Sequence, residues 1–202
     1  MQRKIWVIIG FSILTAVSAF AHPHTFINQK IRICSDDKGI SGFNIHWEFD
    51  EMFSSMIIGD YDVNRNQILE KNEVAVIKDK AFSYLSNFHY FIHIKIDNKP
   101  FDVNFVKGFA AKIKNKILIY EFFVPCHVSA GNTFKQIIVA TYDPSYYSAI
   151  FFSKQGGAGL DKTGYRSDKY EVKFSVKEDK STKIYFDTIN PMALFLEFKI
   201  KK

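Results

Sequence analysis

The sequence predicts a mainly β protein, an immunoglobulin-like β-sandwich carrying one EF-hand-like helix-loop-helix insertion. Three observations lead there. Short segments with apolar residues at period two lie before residue 50 and after residue 90, separated by polar turns, as in a sandwich. Twenty-one Phe and ten Tyr suit pleated, half-buried surfaces. Between the early and late strands the period becomes helical on both sides of an oxygen-rich loop.

Residues 1–21 read as a secretory leader. Arg3 and Lys4 give a positive start, Ile5 to Val17 is apolar, and Ser18-Ala19-Phe20-Ala21 ends in a small-residue cleavage signal. Cleavage after Ala21 leaves one domain over 22–202 in the periplasm, with no transmembrane segment in the mature chain. The formal net charge of +6 includes the two leader cations, and the remainder is scattered. Lys112, Lys114 and Lys116 alternate with other residues as on a wet strand face, so nucleic acid is excluded as a partner.

Thr25–Cys34 and Ile40–Phe49 are expected strands joined at Asp36-Asp37-Lys38-Gly39. Phe43, Ile45, Trp47 and Phe49 share one face, and Asn44, His46 and Glu48 the other. Asp50 reads as an N-cap, with Met52, Phe53, Met56 and Ile57 as the apolar stripe of a short helix. Val74, Ile77, Ala81 and Leu85 then repeat at helical spacing, so the insertion covers residues 50–88. Ile92, Ile94 and Ile96 restore period two, and Asn98-Lys99-Pro100 turns into Phe101–Phe105. Further strands are expected at 116–124, 134–142, 149–153, 170–176, 183–187 and 194–199. Gly156-Gly157-Ala158-Gly159 reads as a flexible loop, without the Lys and helix of a phosphate-binding loop.

The loop Asp62–Glu73 has the spacing of an EF-hand calcium site. Asp62, Asn64 and Asn66 bring oxygens to positions 1, 3 and 5, Ile68 offers its carbonyl, Glu70 occupies position 9 and Glu73 position 12. Gln67 stands at position 6, where the backbone turns left-handed and Gly is the rule, at a cost of about 1–2 kcal/mol. With three carboxylates the expected affinity is weak, ~10⁻⁴–10⁻³ M as in extracellular modules. The same letters also fit a polar turn between helices that holds no metal.

The mature terminus His22-Pro23-His24 would place a free amine beside two imidazoles, donors suited to Cu, Ni, Co or Zn. Pro23 has no amide proton to lose, which blocks the square-planar amino-terminal motif and leaves chelation by the amine and ring of His22. That arrangement resembles the histidine brace of copper proteins, with His24 completing the site; a frayed terminus that binds nothing is the alternative. His46 and His127 are further candidate ligands or ordinary surface histidines, and His89 and His93, four apart, fall in a strand-like stretch. Cys34 and Cys126 allow one disulfide, two free thiols, or a soft-metal site of Cys126 with His127. No nucleophile elbow or His-Glu-x-x-His is present; Asp50-Glu51 reads as a helix start and Asp143-Pro144 as a strand end, so no enzyme is expected.

His22-Pro23-His24, Trp47-Glu48-Phe49-Asp50-Glu51, the loop Asp62–Glu73 and Tyr142-Asp143-Pro144-Ser145-Tyr146-Tyr147 occur together in order. In these the chain resembles a bacterial family of unknown function described as the periplasmic component of an uncharacterised ABC-type transport system. The resemblance implies an exported accessory to a nickel, cobalt or zinc permease in the inner membrane. His22 and His24 would capture the ion and the loop would hold structural calcium. Two other readings are a calcium-stabilised interaction module docking on a permease, and a brace-type copper oxidase.

Overall fold

A computed structural model describes residues 23–161 and 168–201. The expected leader and His22 lie outside the described residues. No helix among the described residues is long and apolar enough to cross a membrane.

Among the described residues eleven strands form two sheets. The first opens with β1 (Thr25–Ser35) and β2 (Gly39–Phe49), antiparallel, with Ile31 opposite Ile45. Asp36 closes the connection, its Oδ1 accepting from the N–H of Lys38 at 2.8 Å and of Gly39 at 3.1 Å. β5 (Lys107–Lys114) and β6 (Ile117–Ser129) extend the sheet beyond β2, and β8 (Ser148–Phe152) and β9 (Ala158–Leu160) both pair in parallel with β1. The second sheet runs β10 (Tyr170–Glu178), β11 (Met192–Ile200), β7 (Lys135–Thr141), β3 (Ile92–Ile96), β4 (Lys99–Phe101).

Both sheets bury side chains in one core, which joins Ile31, Phe43 and Ile45 of the first to Ile94, Val139 and Leu196 of the second. The expected inward face of β2 is the observed one: Phe43, Ile45, Trp47 and Phe49 are all buried. Asn44, His46 and Glu48 lie on the outer, polar side. Gly42 sits at a slip in the β2–β6 register, where a Cβ would stand 2.2 Å from the Val124 carbonyl oxygen. Only glycine allows the strands to close there.

The insertion begins with α1 (Glu51–Tyr61) and α2 (Lys71–Ile77), followed by a π turn over Lys78–Phe82 and a 3₁₀ segment over Ser83–Phe91. Asp50 caps α1 as expected, with Oδ1 2.9 Å from the Phe53 N–H. Its other oxygen accepts from Phe26 N–H, tying the helix start to β1. The buried face of α1 differs from the expected stripe. Ile57 is buried as expected, but Met52 and Met56 are 66% and 53% exposed, and Ser54 turns inward instead. The reason is polar: Ser54 Oγ accepts from the Leu118 N–H at 2.9 Å, a bond that rolls the helix onto β6. Phe82 then locks the insertion down, fully buried and stacked on Phe109 with ring centroids 4.1 Å apart.

Four further expectations are corrected. Phe101–Phe105 contributes only the end of the short β4. β5 appears ahead of the expected strand at 116–124, and the hairpin between them turns on Asn115 and Lys116, both at positive φ. The glycine-rich stretch at 156–159 leads into β9, because β1 has a free edge that its backbone can pair with. At 183–187 there is no strand, only an isolated bridge between Ile184 and Ile189.

Asp179 holds that last connection together. Its Oδ1 accepts from the N–H and Oγ of Ser181, and its Oδ2 from Thr182 Oγ1 at 2.6 Å and Lys95 Nζ at 3.0 Å. Burial pushes its carboxyl up, but the bonds from Ser181, Thr182 and Lys95 outweigh it and hold the pKa down to about 2. A carboxyl depressed below its unfolded value of about 4 stabilises the fold above that pH and loses the effect as pH falls towards 2. Asp179→Asn should therefore be less stable at neutral pH and lose less stability than wild type between pH 4 and pH 2. Denaturant titrations across that range measure it.

Candidate functional site

The expected calcium loop forms a tight, inward-turned connection between α1 and α2. Asp62 is 2% exposed, its Oδ1 accepting from the N–H of Asn66 at 3.1 Å and its Oδ2 from that of Gln67 at 2.9 Å. Glu73 is 5% exposed and bridges the loop ends: Oε1 accepts from Val63 N–H and Oε2 from Glu70 N–H, both at 2.9 Å. Asn64 and Asn66 accept from the backbone of Asn66 and Ile68 and donate their amides to Glu70 Oε1 at 3.1 and 2.7 Å. Glu70 is held below the usual carboxylate range by its hydrogen bond with Glu73 and then by those amides. The side chains at positions 1, 3, 5, 9 and 12 are thus drawn into one network. The Ile68 side chain is 63% exposed. Among the described residues, no three His, Cys, Asp or Glu side chains assemble as a metal cluster.

Gln67 has φ 65° and Arg65 φ 58°, so the left-handed turn expected at position 6 is present on a residue with a Cβ. Gln67→Gly should stabilise the apo protein by about 1 kcal/mol, as relief of left-handed strain exceeds the entropy lost with glycine. Chemical denaturation without metal reads this directly.

At the other end of α1 the sequence motifs gather. The His24 N–H donates to the Tyr147 carbonyl at 2.8 Å, and the two rings lie 5.0 Å apart. The turn that carries Tyr147 is organised by Asp143, 2% exposed. Its Oδ1 accepts from the N–H and Oγ of Ser145 at 2.8 and 2.6 Å, and its Oδ2 from the Ser148 N–H at 2.9 Å. Asp143 is therefore a turn hub, as the Asp-Pro signal suggested. Asp50 completes the junction through its bond to Phe26. Three motifs far apart in sequence meet at the head of β1.

His46 and His127 are not brought to that terminus. His46 pairs with Lys30 across β1–β2, six residues from His24 or roughly 20 Å along a strand. Its Nδ1 lies 2.9 Å from Glu121 Oε1 and its Nε2 2.9 Å from Glu48 Oε1. Both ring nitrogens therefore face carboxylate oxygens of the sheet's outer side, away from His24. Lys30 and Lys112 extend the ladder by pairing with Glu48 and Glu121 at 2.9 and 2.8 Å. His127 is exposed at the hairpin end of β1, 3.9 Å from Asp36 and roughly 30 Å from His24. His89 lies in the last turn of the 3₁₀ segment, and His93 lies in β3, stacked on Tyr142 with centroids 3.8 Å apart. Burial pushes the His93 ring below its ordinary value, towards the neutral form.

The Cys34–Cys126 disulfide is not formed, and both cysteines are free thiols. β2 lies between them: Cys34 is opposite Gly42, and Gly42 opposite Pro125. Two strand spacings are about 10 Å, beyond the ~7 Å that a disulfide spans. Burial pushes both thiols up to about 12. Cys126 is buried while His127 is exposed, so the two do not converge.

The sequence did not foretell a cavity of about 440 Å³ between the 3₁₀ segment and the ends of β1, β2 and β6. Its lining includes Ile27, Trp47, Phe49, Phe88, Phe91 and Tyr120. Its only sequence signal is the density of aromatics at 82–91, which reads equally as core.

Comparison with known proteins gives relatives of undescribed activity. An uncharacterised 15.5 kDa protein from the trpE 3′ region of Spirochaeta aurantia is 24% identical over 140 residues, 69% of this chain and 96% of that protein. An uncharacterised protein of Haemophilus influenzae is 30% identical over 146 residues, 67% of this chain. The chain spans only 65% of that second protein's length. A family model described as a protein of unknown function (DUF1007) matches residues 7–187. With that match over most of its length, the chain belongs to the DUF1007 family.

Proposed function

We propose that this protein is an exported, non-enzymatic binding module that captures a transition-metal ion at its amino terminus for an inner-membrane permease of ABC type. The observation that supports it is the anchoring of His24, by main chain and ring, to Tyr147 on the turn built by Asp143. A histidine fixed on the body of the protein loses little further freedom on binding, whereas a frayed terminus would lose much. His22 supplies the amine and a second imidazole in this reading, and nickel, cobalt, copper and zinc all suit those donors. The immunoglobulin-like sandwich serves as the scaffold.

The test compares protein beginning at His22 with the same chain bearing one extra residue before it. Stoichiometric nickel, cobalt, copper or zinc on the first and not the second is the expected result. Equal binding by both would remove the terminus as the site.

A second reading is a calcium-stabilised module that docks on the permease without carrying an ion. It is favoured by the two buried carboxylates Asp62 and Glu73, placed at the first and last positions of the loop. On that reading millimolar calcium raises the melting temperature, and Glu73→Gln abolishes the rise.

A further inference from the structure

We propose that the cavity beneath the 3₁₀ segment is a binding site for an uncharged, largely apolar small molecule carrying one hydrogen-bond acceptor, such as a ketone or ester oxygen. At about 440 Å³ it lies within the usual range of ligand pockets, ~300–1,000 Å³. Aromatic rings from both the sheet and the insertion form its walls. Phe49 stacks on Phe53 at 4.7 Å and meets Tyr120 edge-on at 4.8 Å, which fixes that wall.

Two polar atoms point to the ligand's chemistry. Trp47 Nε1 and Tyr120 OH belong to cavity-lining side chains that are 1% and 3% exposed, and neither atom has a hydrogen-bond partner among the described residues. A buried donor without an acceptor is costly, and native proteins rarely keep one without reason. A ligand oxygen that accepts from either group would relieve that cost.

The charge of the site decides against ions. Among the described residues no Lys or Arg lines the cavity, so an anionic head group would be unpaired there. The lining carboxylate, Asp143, already accepts three bonds from Ser145 and Ser148 and serves the turn. An uncharged molecule is what remains.

The wall itself carries strain. His89, Tyr90 and Phe91 have φ of 51°, 55° and 58°, three successive non-glycine residues in the left-handed region. Such strain concentrates at functional sites, and here it turns Phe88 and Phe91 towards the cavity. The cavity shares Asp143 and Tyr147 with the turn that anchors His24, but the two donors, Trp47 and Tyr120, belong neither to the proposed metal site nor to the calcium-like loop, so variants at those donors test the proposal apart from metal capture.

The two Trp of the sequence are Trp6, in the leader, and Trp47, so the cleaved protein reports on its own cavity by fluorescence. Protein beginning at His22 would be titrated, in buffer with chelator, with 6-propionyl-2-(dimethylamino)naphthalene, an uncharged ketone. The expected result is saturable one-to-one quenching of Trp47 with a blue shift of the probe. Tyr120→Phe keeps the ring and removes the unpartnered hydroxyl; Trp47→Phe removes the indole N–H, with the probe's own emission as readout. One of the two should weaken the ketone about tenfold. Tyr120→Phe should also melt no lower than wild type, which a merely structural hydroxyl would not allow. Leu85→Trp, which fills the cavity from its helical wall, should abolish binding. Absence of saturable binding, unchanged affinity in both donor variants, or tighter binding of an anionic naphthalene sulfonate or a quaternary ammonium ion would overturn the proposal.

Discussion

Phe82→Ala should cost about 3–5 kcal/mol and loosen the helical insertion before the sheets. Phe82 is 1% exposed and lies where the insertion meets the first sheet. Its ring stacks on Phe109 at 4.1 Å and packs against Phe122 at 5.1 Å and edge-on to Tyr120 at 5.9 Å. Tyr90, from the strained end of the 3₁₀ segment, adds a fourth ring at 5.5 Å. Alanine would leave a void bounded by four rings, three of them held by strands, so little collapse can refill it. Amide exchange should quicken first across α1, α2 and the residues up to 91, with β2 and β6 following only at global unfolding. Phe82→Leu retains most of the volume and should cost less than half as much. A loss under about 1 kcal/mol for the alanine variant would mean that the insertion is held by other contacts.

Asp143→Ala should destabilise the protein by about 3 kcal/mol and release the amino terminus. Its three hydrogen bonds fold the turn that presents the Tyr147 carbonyl to His24, and two of their donors are backbone N–H groups. Bonds to a charged acceptor contribute about 1.5–3 kcal/mol each but do not add, since the turn opens as a unit. Asp143→Asn keeps an acceptor oxygen and should lie between the two. The distinguishing readout is binding: if metal capture depends on the anchored His24, nickel or copper affinity falls in the alanine variant at a temperature where it remains folded. Unchanged affinity with lowered stability would confine Asp143 to the fold.

The charge ladder on the outer face of the first sheet shows what a list of candidate ligands leaves open. His46 was a reasonable candidate by residue type, and His127 by its place near a strand end. Their partners decide otherwise. Two carboxylates claim both nitrogens of His46, and the length of β1 separates His127 from His24. Distance along a strand and the partners that a ring finds across it are properties of the assembled sheet.

The alternation in β2, the Asp50 cap, the turn at Asp36 and the left-handed position of Gln67 were all legible in the sequence. Each depends on interactions within a few residues, so the local letters determine it: side chains alternate because the strand is pleated, and Asp50 caps because its oxygen reaches Phe53. The roll of α1 was not legible, because it follows from an unpaired N–H on Leu118 that finds Ser54 from 64 residues away. Nor was the separation of the cysteines, which depends on β2 lying between β1 and β6, nor the pairing of β9 with β1. The cavity belongs with these. Its aromatic letters were visible as core, but the space among them exists only where a strained helical end meets three strands from elsewhere in the chain. By itself the sequence determined the elements and their faces, since those are set by covalent neighbours. Tertiary structure alone decided which faces meet, which polar atoms find partners and which do not, because those outcomes depend on contacts between residues distant in the chain.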